Sequence, residues 1–366
     1  MTALTQELLE RIRSRAAGYD LDNAFFFEDL EDVKTAGYLA PRSLLDTARD
    51  QRLLAAYAPA TALGINMHLV WTGVARVLSE RGDTSLEWIL DEASAGELFA
   101  FGNSEAGNDL VLFDSLTGAV PGTDGSYAFT GTKIFTSLAP AWTRLGIFGR
   151  DGDKLVHGFI TRDTPGWGSL DDWDTLGMRA TQSHTTVLDG AVVPASRIAR
   201  ILPVGPSGDP FIFGIFANFL LLIASVYAGI ADRALELGVE AAEKRTSLKN
   251  HGARYSQDPD IRWRLADAAL ALDALAPQIE TLAADVDNLV DHGASWFRRL
   301  TGVKHRATET ARYVVDQSAR VAGGGGYRSS SELARLQRDV LAGIYHPSDT
   351  ESVHSTVATN LLGPLD

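Results

Sequence analysis

The sequence predicts an α+β protein with a helical first third, a small antiparallel β domain and a C-terminal helical bundle. Three observations carry this. Residues 1 to 96 are rich in Leu, Ala, Glu and Arg at helical spacing, with TALGINMHLVWTGVARVLSERG the most apolar stretch. From 97 the texture changes to short β-type runs between turn residues: LVLFDSLTGAV, PGTDGS, YAFTGTKIFTS, RLGIFGR, DGD, KLVHGFIT and HTTVLDGAVVP. After about 205 the helical pattern returns over 211–245, about 260–286, about 292–322 and 332–343.

The chain has 366 residues, 45% hydrophobic and 22% charged, enough for several domains with their own cores. It contains no cysteine, which excludes disulfides, thiolate nucleophiles and Cys-ligated metal centres. A net charge of −14 without a long basic run argues against nucleic acid as a partner. The N-terminus, MTALTQELLERIRSRAAGYD, is charged and amphipathic rather than signal-like, which makes the cytoplasm the expected compartment. FIFGIFANFLLLIASVYAGIA, 211–231, is long enough to cross a membrane. It runs without a break into ADRALELGVEAAEKR, so the expected reading is one long helix buried in a bundle, with no membrane partner.

Four local motifs stand out: FGNSEAGNDL at 101–110, GTKIFTS at 131–137, LGMRATQSHTTVLDGAVVP at 176–194 and VAGGGGYRSSSELARLQRDV at 321–340. In the last, glycines 323–326 let backbone N–H groups approach a phosphate, with a helix beginning near Ser331; a flexible loop is the plainer reading. His346 precedes Pro347, which places it at a break between elements rather than inside a helix. His68 lies on an apolar helix, where a histidine bonded to backbone is the plainer reading.

Taken in order, the four motifs resemble the acyl-CoA dehydrogenase superfamily over nearly the whole chain. Asn108 stands where that family commonly has Ser, and the first loop is shorter than usual. The resemblance implies an N-terminal helical domain (1–96), a central β domain (97–205) and a C-terminal four-helix bundle (206–366). It implies FAD, with FMN as the alternative. Ser104, Thr136 and Ser137 would face the flavin from the β domain, the two hydroxyls at the end of a strand. Arg245, Gln317 and Gly323, Gly324, Gly325 and Gly326 would hold its diphosphate, often across a subunit boundary, which implies a homotetramer or homodimer.

The family's usual base is the Glu of an Ile-Tyr-Glu-Gly-Thr stretch after the Arg-Asp helix. Here Arg338-Asp339 is followed by Ile344-Tyr345-His346-Pro347-Ser348, and ANFLLLIASVYAG of the long helix offers no acid instead. That departure resembles the flavin-dependent monooxygenase branch of the dibenzothiophene monooxygenase kind. It implies His346, His68 and Ser137 as catalytic groups around a C4a-(hydro)peroxyflavin, and reduced flavin delivered by a separate reductase to act on a small organic substrate. Two alternatives stay open: an acyl-CoA dehydrogenase whose base is Asp349, Glu351 or His346, and a flavin-binding relative without chemistry. His184 could face the flavin edge or substrate, and His354 reads as structural. No metal site is expected.

Overall fold

The computed structural model describes residues 3–363 and 365. Five helices come first: α1 (Gln6–Asp22), α2 (Phe27–Thr35), α3 (Leu44–Ala55), α4 (Pro59–Glu80) and α5 (Glu87–Ser94). α1 starts at Thr5, whose hydroxyl accepts from the Leu8 N–H, and stops at Asn23 in the left-handed conformation. α4 starts with a proline in its first turn, where the missing N–H costs nothing, and is buried almost all round.

Eight strands follow: β1 (Phe99–Gly102), β2 (Gly118–Pro121), β3 (Tyr127–Lys133), β4 (Arg144–Asp151), β5 (Lys154–Thr161), β6 (Trp167–Ser169), β7 (Thr186–Val193) and β8 (Ile198–Pro203). They form one sheet in the order β6-β7-β3-β2-β4-β5-β8, with β1 on β4. The sheet is not wholly antiparallel as expected. β1 runs parallel to β4, Phe99 opposite Arg144, and β2 meets β4 in a short parallel pairing. The intervening segment, which contains the β2–β3 hairpin, is long enough for the crossover a parallel pair needs. The run at 110–120 also breaks the expectation, because only its last residues enter β2 and 110–113 form a turn.

Inside this domain the Glu105 carboxylate accepts from Lys133 Nζ at 2.7 Å, from the Thr117 and Ser115 hydroxyls, and from the Leu116 and Thr117 N–H groups. Although burial opposes ionisation, Lys133 and these donors hold its carboxyl down to about 2. So the acid of the first motif ties loop to strand.

The C-terminal part contains α6 (Pro210–Lys244), α7 (Pro259–Asp273), α8 (Leu275–Asp287), α9 (Ser295–Ala322), α10 (Glu332–Asp339) and α11 (Thr350–Leu362). α6 is long and apolar enough to cross a membrane, yet 83% of its most apolar window is buried inside the fold, against α9, α4 and α3. The helix expected over 260–286 is two, α7 and α8, broken at Ala274. Pro277 explains this: it has no N–H for the Asp273 carbonyl and its ring crowds that turn. α11 was not anticipated; it is capped by Asp349, which accepts from the Ser352 N–H and hydroxyl.

The Gly-Met-Arg and Arg-Asp motifs, 160 residues apart in sequence, meet in space. The buried Asp339 carboxylate accepts from the Met178 N–H at 2.6 Å, and Arg338 donates to the Leu176 carbonyl and pairs with Asp20 of α1. Gly177 makes this approach feasible, since a Cβ there would lie 2.3 Å from the Arg338 carbonyl. Gly177→Ala should therefore cost about 1–3 kcal/mol in chemical denaturation, the range for overpacking; a change below about 0.5 kcal/mol, the size of a neutral surface substitution, would show that the contact relaxes freely.

Candidate active site

One large cavity, about 1620 Å³, opens between the three motif-bearing loops of the β domain, the Ile215–Ile223 face of α6, the first turns of α9, the 338–349 segment and α11. Its volume exceeds the usual range for a drug-sized ligand, leaving space for a ring cofactor and a substrate together. Ser104, Ser137 and His346 all line it.

His346 follows a short 3-10 turn, Val340–Ile344, where Pro347 stops helical continuation. Its side chain is half-buried, its ring makes no hydrogen bond among the described residues, and its Nε2 is sealed without a partner. Burial, helped by the nearby Lys304 charge, pushes its pKa down to about 3, so the ring is neutral at ordinary pH. The Tyr227 ring sits 5.8 Å away, edge-on, with a fully buried hydroxyl that also lacks a partner.

Lys304, buried on α9, positions this segment. Its Nζ donates to the carbonyls of Gly343, His346 and Ser348 at 3.1, 3.2 and 3.0 Å. An ammonium has three N–H bonds, so all are committed to backbone. Burial draws its pKa down to about 8.

Ser137 lies in a loop four residues beyond β3 rather than at a strand end, between Phe135 and Leu138, both at positive φ (59° and 66°). Its Oγ is 2.8 Å from Ser183 Oγ, which is 2.8 Å from Thr181 Oγ1. The Thr136 hydroxyl turns into the domain instead, accepting from Thr186 at 3.1 Å, so Thr136 offers the cavity no hydroxyl.

His68 is not at the cavity. It is fully buried, its Nε2 at 2.8 Å from the Leu39 carbonyl and its Nδ1 accepting the Phe99 N–H at 3.2 Å. Both ring nitrogens are consumed joining the helical and β domains, and burial lowers its pKa to about 4. The catalytic expectation for His68 is corrected on that ground. His184 is likewise structural: its Nδ1 faces the Asp172 and Trp173 N–H groups and its Nε2 the Gln182 Oε1. His354 bonds the Thr350 carbonyl of its own helix.

The expected diphosphate residues also lie apart from the cavity within this chain. Arg245 donates to the Val321 carbonyl at 2.6 Å and stacks on Tyr255, and it packs where a Cβ on Gly323 (φ +60) would sit. Gln317 is bonded to Arg264 and Asp316. The turn at Gly323, Gly324, Gly325 and Gly326 is outside the lining, and from Thr301 at the cavity to Gly323 the helix rises roughly 33 Å.

Three acids line the cavity among the described residues: Glu105, Asp109 and Asp349. Glu105 is saturated with donors, Asp109 is exposed, and Asp349 caps α11, where those bonds and Lys304 lower its pKa despite partial burial. Glu351 is exposed and outside the lining. Residues with unpartnered buried polar atoms also line the cavity, Asn103 (Oδ1) and Trp173 (Nε1) besides His346. A flat heteroaromatic ring bearing both donors and acceptors suits such a wall.

A model of the acyl-CoA dehydrogenase C-terminal domain matches residues 221–348, the stretch holding α9, the glycine turn and His346. Over that stretch the chain carries an acyl-CoA dehydrogenase C-terminal domain. YdbM of Bacillus subtilis (strain 168), which carries an acyl-CoA dehydrogenase name, is 28% identical over 96% of this chain and 94% of its own. The L-evernosamine nitrososynthase of a Micromonospora species is 30% identical over 60% of this chain and 53% of its own length. Among solved structures, KijD3 in complex with FMN and a dTDP-linked amino sugar superposes with a TM-score of 0.83 at 26% identity, covering 98% of this chain and 92% of that one. The protein is thus a flavoenzyme of the acyl-CoA dehydrogenase fold, with relatives named both as dehydrogenases and as nitrososynthases.

Sequence reasoning missed Lys304, Thr181, Ser183 and α11. Lys304 left a trace: it interrupts the apolar stripe Leu300, Val303, Ala307, Ala311 of α9. A lysine within a buried stripe has backbone or an acid to hold. Desolvation depresses the pKa values of three histidines, His68, His157 and His346, to about 4, 3 and 3. Unfolding lets each take up a proton below about pH 6.5, so their stabilisation is present above that pH and lost as pH falls toward the folded values. Each should contribute a slope of about 1.4 kcal/mol per pH unit within that window. In denaturation series at pH 4.5 to 6.5, His346→Gln should flatten the dependence by about one proton; an unchanged slope would mean His346 titrates normally.

Proposed function

We propose that this protein is a two-component flavin monooxygenase, using reduced flavin supplied by a separate flavin reductase. The observation that carries it is His346: a neutral, unpartnered imidazole occupies the base position in a cavity whose acids are all engaged or exposed. A dehydrogenase needs a base for the proton beside its thioester, and a capping carboxylate of lowered pKa such as Asp349 serves that poorly. A neutral imidazole carries one donor and one acceptor, which suits holding and moving a proton beside an oxygen species.

Bound reduced flavin would supply two electrons to dioxygen, one oxygen atom passing to the substrate and the other leaving as water. His346 would hold the proton at that oxygen, Ser137 would orient the ring, and the apolar α6 wall, including Ile215, Phe219 and Ile223, would keep bulk water out. The nitrososynthase relative supports this reading, because a nitroso group is an oxidised nitrogen. A small amine is the substrate class proposed. Arg298 lines the cavity without an ion pair among the described residues, which would favour an amine whose remote end is anionic.

FMN is the cofactor proposed, since Arg245 and Gln317, two of the residues expected on the diphosphate of FAD, are already bonded within the chain. KijD3 binds FMN. Assembly from identical subunits belongs to the same proposal: Trp263 and Leu270, seven residues apart on α7, and Leu248 and Tyr327 leave apolar surface exposed. The cytoplasm, where reduced flavin is generated, is the compartment proposed.

The test is anaerobic loading with reduced FMN, then mixing with labelled dioxygen and a panel of amines. The expected result is slower reoxidation than for free reduced FMN and label in the product, with His346→Gln lowering label incorporation at least about tenfold, the lower end for a proton-transfer group. Bleaching of the oxidised holoenzyme by an acyl-CoA, without label transfer, would favour dehydrogenation.

A further inference from the structure

We propose that Thr181 and Ser183 lock the Ser137 hydroxyl as a hydrogen-bond acceptor toward the cavity, so that the site favours the flavin that presents an N–H there, the reduced form. The inference rests on the flavin reading above and deepens it.

The argument is a count of hydrogens. Each hydroxyl has one to give. Ser137 Oγ lies 2.8 Å from Ser183 Oγ, Ser183 Oγ lies 2.8 Å from Thr181 Oγ1, and Thr181 Oγ1 donates to the Met178 carbonyl at 2.9 Å. Thr181 and Ser183 are buried, and their hydroxyls have no other partner among the described residues. Because Thr181 gives its hydrogen to Met178, the Ser183 hydrogen goes to Thr181 and the Ser137 hydrogen goes to Ser183. Only this direction finds a protein acceptor for all three. The Ser137 oxygen then shows the cavity lone pairs and no hydrogen.

The carbonyl that ends the chain is held in place, since Met178 is tied by its own N–H to buried Asp339 at 2.6 Å. The other end is fixed too: Phe135 and Leu138 at positive φ bracket Ser137, Met178 and Gln182, also at positive φ, bracket Thr181, and Ser183 directly follows Gln182. Two irregular loops are therefore joined through three side-chain oxygens.

A ring nitrogen of oxidised flavin is an acceptor, and in reduced flavin that nitrogen carries hydrogen. Facing lone pairs, the oxidised ring must reverse the chain and leave one internal hydrogen bond unmade, whereas the reduced ring binds it as it stands. Thr181 and Ser183 are positioning residues in this scheme, acting through Ser137. The preference suits an enzyme that must capture reduced flavin from solution and release it oxidised.

The experiment measures dissociation constants of oxidised and anaerobically reduced FMN for the full-length protein and for Thr181→Val, Ser183→Ala and Thr181→Ser. Wild type should bind the reduced form more tightly. Thr181→Val and Ser183→Ala each free the Ser137 hydrogen and should shrink the reduced-to-oxidised preference by about tenfold, worth about 30 mV in the midpoint potential of a two-electron couple. Thr181→Ser keeps the chain and should restore the wild-type ratio. A merely structural role for these hydroxyls would weaken both forms together and leave the ratio alone. Ratios within twofold of wild type in variants that still bind FMN overturn the inference while the flavin reading stands; wild type that binds neither form overturns both. Should Thr181→Val fail to fold, Ser183→Ala alone decides.

Discussion

The geometry of the site depends on one buried ammonium. Lys304 spends its three N–H bonds on the carbonyls of Gly343, His346 and Ser348, and no carboxylate bonds to it. A charge in that setting is costly unless every donor is satisfied, so the backbone from 343 to 348 must close around it. That closure presents His346 to the cavity. It also decides the state of His346, because a positive charge next to a desolvated imidazole disfavours a second one.

The wider frame follows the same logic of satisfied polar groups. Gly177, Met178 and the Arg338-Asp339 pair fasten the β domain to the C-terminal helices, while His68 fastens it to the N-terminal ones. Each fastening uses a buried polar group whose partners are backbone atoms, which fixes position more tightly than apolar contact alone. The cavity is the space these joints leave between them. His68 and His346 show how one side chain takes two roles: the first has both nitrogens occupied and is a joint, the second has none occupied and is available.

Much of this was legible in the chain. The order of helices, sheet and bundle followed from the change of hydrophobic period near residue 97 and its reversal after 205, and His346 followed from the proline beside it and the glutamate it replaces. What stayed hidden was set by tertiary contacts. Nothing local distinguishes a histidine whose two nitrogens meet Leu39 and Phe99 from one facing a cavity, and the His68 error has that cause. The split of α7 from α8 was visible in Pro277 but outweighed by the apolar spacing on both sides. The parallel pairing of β1 and the Thr181–Ser183–Ser137 chain join distant segments, and short-range pattern carries no trace of such pairings.

The central claim is that His346 is a neutral imidazole held by Lys304 at the cavity. Nuclear magnetic resonance of histidine ring-labelled protein, with the His346 signal assigned by loss in His346→Gln, reads this directly. The account predicts a His346 resonance that stays in the neutral position from pH 8 down to about 4.5, more than one unit above its depressed pKa, and that titrates at higher pH in Lys304→Met. A wild-type signal that titrates near the ordinary histidine value of about 6.5 would contradict it.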